Sequence, residues 1–132
     1  MADFKATVES LKIEDHPDAD ALELARVGDY RCVVRKGQFQ DGDLAVYIPE
    51  QALLPEWLIK ELGLEGKLAG PQHNRVKAVK LRGVLSQGLV YPLEDNKETL
   101  KVINPKKEMR KYADFITVTE GQDVTELLGI EK

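Results

Sequence analysis

The sequence predicts an all-β domain with short helices, folded as a small Greek-key β-barrel. Three observations carry that expectation. Short runs of β-branched and aliphatic residues recur along the chain, and such side chains pack well on a pleated sheet. Ten glycines are spread through 132 residues and supply the turns between those runs. One amphipathic helical pattern stands in the middle of the order. The length suits a single domain with its own core.

The elements follow in order. Phe4 to Ile13 reads as a long first strand, and HPDAD at 16–20 breaks it, because proline fixes a backbone angle and Asp side chains bond to nearby backbone. His16, Asp18 and Asp20 are metal-ligand types, but no second cluster completes a coordination shell. Ala21 to Val27 alternates as a strand and pairs with Tyr30–Arg35 in a hairpin through Gly28 and Asp29. A short helix would also fit 21–27. Gly37 to Asp43 is a loop, and Leu44 to Ile48 is a compact strand after an Asp-Gly turn signal. Pro55 suits a first helical position, with Leu54, Leu58 and Leu62 on one face and Gly63 as the stop. That helix is expected to cap one end of the barrel, with Trp57 on its apolar side rather than serving as a base-stacking platform. Leu64 to Gln72 reads as a flexible, glycine-rich loop.

His73 to Leu93 is the most informative stretch and reads as two strands. Between Gly66 and Leu93 stand five basic residues and no carboxylate, although the whole chain has a formal charge of −4. A surface of one sign inside a protein of the opposite sign points to a polyanionic partner. Strict alternation would split Arg75 and Lys77 from Lys80 and Arg82. A β-bulge near Ala78 or Val79 would bring all four to one side. The competing reading is a solvated edge strand whose charges block aggregation.

After Leu93 the chain becomes heavily charged. Glu94 to Lys111 reads as a solvated segment with a short helix from Asn104 and a second basic cluster at Lys106, Lys107, Arg110 and Lys111. Ala113 to Val118 can return as a final strand. Asp123 opens a capping box, D-V-T-E, before a terminal helix whose apolar side is Val124, Leu127 and Leu128 and whose stop is Gly129.

Composition excludes several classes. Cys32 is the only cysteine, so no disulfide forms within the chain, and a reducing, cytoplasmic setting is expected. Cys32 reads as a small buried hydrophobe. No apolar run approaches membrane-spanning length, and no membrane partner is expected. No Ser/His/Asp or Cys/His set, Walker loop or zinc spacing is visible.

Strands, a central helix and glycine corners at Gly83 and Gly88 fit the OB-fold, the commonest such barrel that binds single-stranded nucleic acid. Nucleic acid would be held at Arg75, Lys77, Lys80 and Arg82, with Arg35, Lys36 and Gln87 beside them. Contacts would be mainly to phosphates, and Tyr30, Tyr47 and Tyr91 would add base stacking if exposed.

Several stretches resemble the N-terminal OB-fold domain of a family of ATP-dependent RNA ligases. HPDAD-x-L-E-L-A-x-V at 16–27 resembles the family's PIPGADRIELA-x-V, and VVRKGQFQDGDLAVYI at 33–48 resembles VVKKGEFKVGDLVVYF. Leu53-Leu54-Pro55 and RVKAVKLRGVLSQGL at 75–89 follow. EGQDVTELLGIEK at 120–132 resembles the segment joining this domain to the nucleotidyltransferase domain. The stretch 94–119 is unmatched and reads as an insertion. The resemblance implies an OB-fold nucleic-acid-binding domain over 1–119 and a junction at 120–132. It implies a monomeric, non-catalytic module that engages RNA, at a single-stranded end or nicked duplex, beside the catalytic domain of the same polypeptide. No cofactor is expected in this chain; ATP and a divalent metal would belong to the catalytic domain. Lys80-Leu81-Arg82-Gly83 resembles the K-x-[DN]-G nucleophile motif of covalent nucleotidyltransferases, but Arg82 stands where that motif has an acidic or amide residue. Lys80 is therefore read as non-catalytic. HPDAD and KLRGVLSQGL also resemble the tRNA-binding OB module appended to some aminoacyl-tRNA synthetases. A protein-docking OB domain is a further alternative.

Overall fold

The computed structural model describes residues 5–103 and 113–131. The first predicted strand is two: β1 (Thr7–Ser10) and β2 (Lys12–Asp15). They bend at buried Leu11, whose backbone bonds to the 42–43 turn. β3 (Leu22–Val27) and β4 (Tyr30–Arg35) form the expected hairpin, with Val27 opposite Tyr30 and Gly28 in the left-handed region. β5 (Leu44–Ile48) follows, then α1 (Glu56–Leu62).

β5 explains its own sequence. Val46 and Ile48 face one apolar cluster with Val8, Leu58, Tyr91 and Leu100. Ala45 and Tyr47 face a second cluster with Ala25, Cys32, Val34 and Phe39. A strand buried on both sides reads as a continuous apolar run rather than an alternating one. The second cluster fills the barrel. The first is a layer outside it, and α1 contributes Leu58 and Ile59 to that layer. The helix therefore covers a face of the sheet rather than capping the end of the barrel. It begins one residue later than expected, with Pro55 as its extended N-cap. Gly63 ends it in the left-handed conformation, as its lack of Cβ allows.

The 73–93 stretch contains three strands rather than two: β6 (Val79–Leu81), β7 (Val84–Ser86) and β8 (Leu89–Pro92). β6 and β7 form a tight ribbon with Leu81 opposite Val84. Its two-residue turn, Arg82-Gly83, has positive φ at both positions, the geometry that matches strand twist. β5 pairs with β1 and β8, and β3 with β2 and β4. From β4 to β7 the circuit is bridged by Gln87 N–H to Arg31 O at 2.8 Å and Val33 N–H to Ser86 Oγ at 2.9 Å. The order around the barrel is thus β4, β3, β2/β1, β5, β8/β7 and back to β4.

The charged stretch was expected to be mostly solvated, and here the structure differs. β9 (Thr99–Ile103) pairs antiparallel with β10 (Ala113–Thr117), and Leu100, Val102 and Val118 enter the core. Charged neighbours hid the alternation of Leu100 and Val102. The expected Asn104 helix and the cluster at 106–111 lie outside the described residues. Asp95 organises the approach to β9: one carboxylate oxygen accepts the backbone N–H groups of Lys97, Glu98 and Thr99. Those bonds, led by Glu98, hold its carboxyl well below the usual carboxylate range. A depressed folded-state pKa stabilises above the unfolded value of about 3.9, and that contribution is lost as pH falls below it. Asp95→Asn is therefore expected to flatten the stability–pH profile below about pH 4 relative to wild type, read by urea denaturation at several pH values.

α2 (Thr125–Leu128) is real, but the capping box is not formed. Asp123 lies one residue before the N-cap and accepts both the N–H and the hydroxyl of Thr125, at 2.9 and 2.6 Å. Val124 and Leu128 are buried, whereas Leu127 is 41% exposed and does not share their face. Residues 121–131 bond to β1 and to Leu53, so this segment packs on the barrel. No helix among the described residues is long and apolar enough to cross a membrane.

Candidate nucleic-acid interface

The site is built from the β6–β7 ribbon outward. Alternation sends Val79 and Leu81 to one face of the ribbon and Lys80, opposite Leu85, to the other. The first face borders a groove of about 470 Å³. Val33 of β4, Leu64, Leu68, Val79 and Leu81 give it aliphatic walls, and Lys67, Lys77 and Ser86 are its polar side chains. No carboxylate lines it among the described residues. Val79 and Leu81 remain 50% and 41% exposed, so their apolar surface is open to a ligand.

The predicted cations do not share one row. Lys77 lines the groove and Lys80 lies on the ribbon's other face. Arg82 sits at the ribbon tip in the left-handed conformation. Arg75 is half-buried in an isolated bridge between Leu53 and Ala69, and its guanidinium donates to Gln51 O at 3.1 Å. Arg35 lies two residues beyond Val33 on the same face of β4, and Lys36 N–H bonds to Ala21 O. Both are exposed. The backbone of Gln87 is a structural knot: its carbonyl accepts Tyr47 Oη at 2.8 Å and Cys32 Sγ at 3.4 Å. Among the described residues the ion pairs are Arg26–Glu14, Lys60–Glu56 and Lys101–Glu61, and none uses these cations. No bulge is needed to describe the stretch, because Arg75 to Ala78 precede the ribbon.

His16 holds the ribbon tip. Asp18 N–H donates to its Nδ1 at 3.0 Å, which leaves the proton on Nε2 to donate to Leu81 O at 3.1 Å. Both ring nitrogens are thus engaged, and the metal reading of HPDAD finds no support: no group of three metal-ligating side chains occurs among the described residues. Asp18 also lies beside Gly83, which tempers the positive field at the tip.

Two of the three stacking tyrosines are not available. Tyr91 and Tyr47 are buried, and Tyr91 Oη donates to Lys101 O. Burial raises both phenols, with smaller contributions from Glu61 and Glu94 at Tyr91 and from Cys32, Tyr30 and Glu50 at Tyr47. Tyr30 alone of the three is exposed, and it stacks on Tyr47 at 5.6 Å. Trp57 is half-buried, edge-on to Tyr91, in keeping with a core role. Burial pushes the Cys32 thiol up to about 12, so it is not a nucleophile at neutral pH.

Lys67 lines the groove, and the sequence alone does not single it out. It lies within the carboxylate-free stretch, but its segment was read as a flexible loop. The structure gives this segment turns, and Lys67 lines the groove.

Two three-stranded antiparallel sheets packed round one apolar cluster, with the β6–β7 ribbon beside them, define a small β-barrel of the OB type. The chain belongs to the OB-fold domain family, whose family model matches residues 5–93. No curated protein matches the sequence. Among solved structures, the Naegleria gruberi RNA ligase with PPi is similar at 29% identity and a TM-score of 0.69, over 99% of this chain and 35% of the ligase. A lysine-to-alanine mutant of that ligase with ATP and Mn gives 30% identity and a TM-score of 0.67, over 96% of this chain and 34% of that one. A mutant apo form gives 27% and 0.68, over 98% and 35%. The chain is similar to the OB-fold domain of an RNA ligase and spans about a third of the ligase's length.

Proposed function

We propose that this chain is the RNA-binding OB module of an ATP-dependent RNA ligase. It engages RNA for strand sealing by a nucleotidyltransferase domain of the same polypeptide and performs no chemistry itself. ATP and divalent metal act in that other domain, and residues 120–132 lead towards it. The observation that carries this reading is the carboxylate-free groove with Lys67 and Lys77 on it, in a chain that is acidic as a whole. Lys80 and Arg82 extend the positive surface around the ribbon, and Arg35, Lys36 and Gln87 flank it. Arg75 holds the 51–53 segment and offers its remaining donors at the margin.

Phosphates bound by lysine release counterions, so affinity falls with salt by about 0.7 log units per tenfold for each phosphate on a single strand. The double variant Lys67→Glu/Lys77→Glu is expected to weaken RNA binding about 10- to 100-fold and to reduce the salt slope by about 1.4. Fluorescence anisotropy over a salt series, with a thermal melt to confirm folding, checks both. Unchanged affinity and slope would sink the reading and favour a protein-docking role. Lys80→Glu/Arg82→Glu then reports whether the ribbon's other face also contacts RNA.

A further inference from the structure

Resting on that reading, we infer that Glu131 is a positioning residue for the groove: through its backbone, the segment leading to the catalytic domain sets where Lys67 stands. Lys67 has no strand of its own. It lies in the 64–75 segment, whose Leu64 and Leu68 rest on the outer apolar cluster. Among the described residues, the backbone of this segment bonds to the rest of the chain at its two ends. Leu64 N–H donates to Ile59 O at 3.1 Å, and Asn74 O accepts Leu54 N–H at 2.9 Å. Inside the segment, Ala69 and Arg75 exchange both N–H···O bonds at 2.9 Å. That pairing folds the chain back, with Lys67, Leu68 and Ala69 lining the groove.

The far end of the segment stands against Leu53, and Leu53 stands against Glu131. Isolated antiparallel bridges run from Ala69 to Arg75, from Arg75 to Leu53 and from Leu53 to Glu131. Val76 N–H to Ala52 O, at 2.9 Å, completes the middle pairing. On its other side Leu53 commits both backbone groups to Glu131. Its N–H donates to Glu131 O at 2.6 Å, and its carbonyl accepts Glu131 N–H at 3.0 Å. Residues 52–54 thus act as a central strand, with 74–76 on one edge and Glu131 on the other. Without Glu131, Leu53 becomes an edge whose N–H and C=O must find water or a new partner. Glu131 is seated by its neighbour Ile130, which is buried in the outer cluster. Its own side chain is exposed, so what it supplies here is backbone. The seating of 130–131 therefore bears on the segment that carries Lys67. Lys77 lies beyond it, next to the fully buried Val76.

The test measures RNA affinity by anisotropy over a salt series for the whole chain and four variants: Glu131→Pro, Glu131→Gln, Lys67→Ala and Lys67→Ala/Glu131→Pro. Proline removes the N–H that bonds to Leu53 O, whereas glutamine keeps that bond and removes the charge. Relative to Glu131→Gln, Glu131→Pro is expected to weaken binding about threefold or more and to lower the salt slope by about 0.7, the share of one phosphate. In the Lys67→Ala background it is expected to change neither, because both substitutions remove the same contact. General destabilisation would instead lower the melting temperature, leave the slope alone and act equally in both backgrounds. Amide exchange of the unsubstituted chain is a second readout that needs no variant to fold. Saturating RNA is expected to slow the Leu53 and Glu131 amides about threefold or more, because coupling between two positions is reciprocal. If a folded Glu131→Pro keeps the full slope, or if those two amides ignore RNA that slows Lys67, Glu131 does not position Lys67 and the groove reading stands. If Lys67→Glu/Lys77→Glu leaves affinity and slope unchanged, both fall.

Discussion

Gly88→Ala is expected to destabilise the protein by about 3–5 kcal/mol, combining positive-φ strain with overpacking. Gly88 has φ +90°, and a Cβ there would lie 2.5 Å from Ile48 O and 2.8 Å from Tyr47 Oη. Neither atom can yield easily. Ile48 O belongs to the β5–β8 ladder, and Tyr47 Oη is tied to Gln87 O. For a domain of this size the melting temperature should fall by about 10–15 °C. Gly28→Ala provides the comparison: φ is +56° but nothing lies within 4 Å, so only the backbone term of about 1 kcal/mol remains. Equal melting temperatures for the two variants would show that the close approach at Gly88 is not what limits that position.

Leu100→Ala is expected to cost about 3 kcal/mol, within the range for buried leucines that leave a cavity. Leu100 is fully buried in the cluster that joins β1, β5 and α1 to the β9–β10 hairpin. Phe115→Ser, on the same hairpin but 59% exposed, should change stability by no more than about 0.5 kcal/mol. Urea titration of both variants distinguishes a hairpin that is part of the core from one that merely lies on it. A Leu100→Ala cost as small as that of Phe115→Ser would mean the 99–117 hairpin could be removed without unfolding the rest. Under that outcome the outer layer would no longer count as part of the fold.

Local chemistry made much of the architecture readable. The β3–β4 hairpin was legible because Gly28 and Asp29 separate two runs of β-formers. Pro55 and Gly63 bracket the helix because one suits a helix start and the other its left-handed stop. β9 was not legible, since Leu100 and Val102 stand among charged residues that resemble a solvated loop. The ribbon's two-residue turn was also hidden. Arg82 with φ +53° is an unusual occupant of a position that usually takes Asn, Asp or Gly.

The sequence by itself determined the fold family, the resemblance to an RNA ligase's OB-fold domain, and the concentration of positive charge between Gly66 and Leu93. These follow from turn chemistry, local periodicity and residue type, all of which act over a few neighbours. Only the tertiary structure decided how that charge is distributed. Arg75 is drawn to Gln51, Lys80 turns away from Lys77, and Lys67 comes round to line the groove. It also decided which tyrosines are buried, because burial of Tyr47 and Tyr91 depends on strands and helices distant in sequence. A side chain's neighbours across a barrel are set by pairing and packing, and no local pattern encodes them.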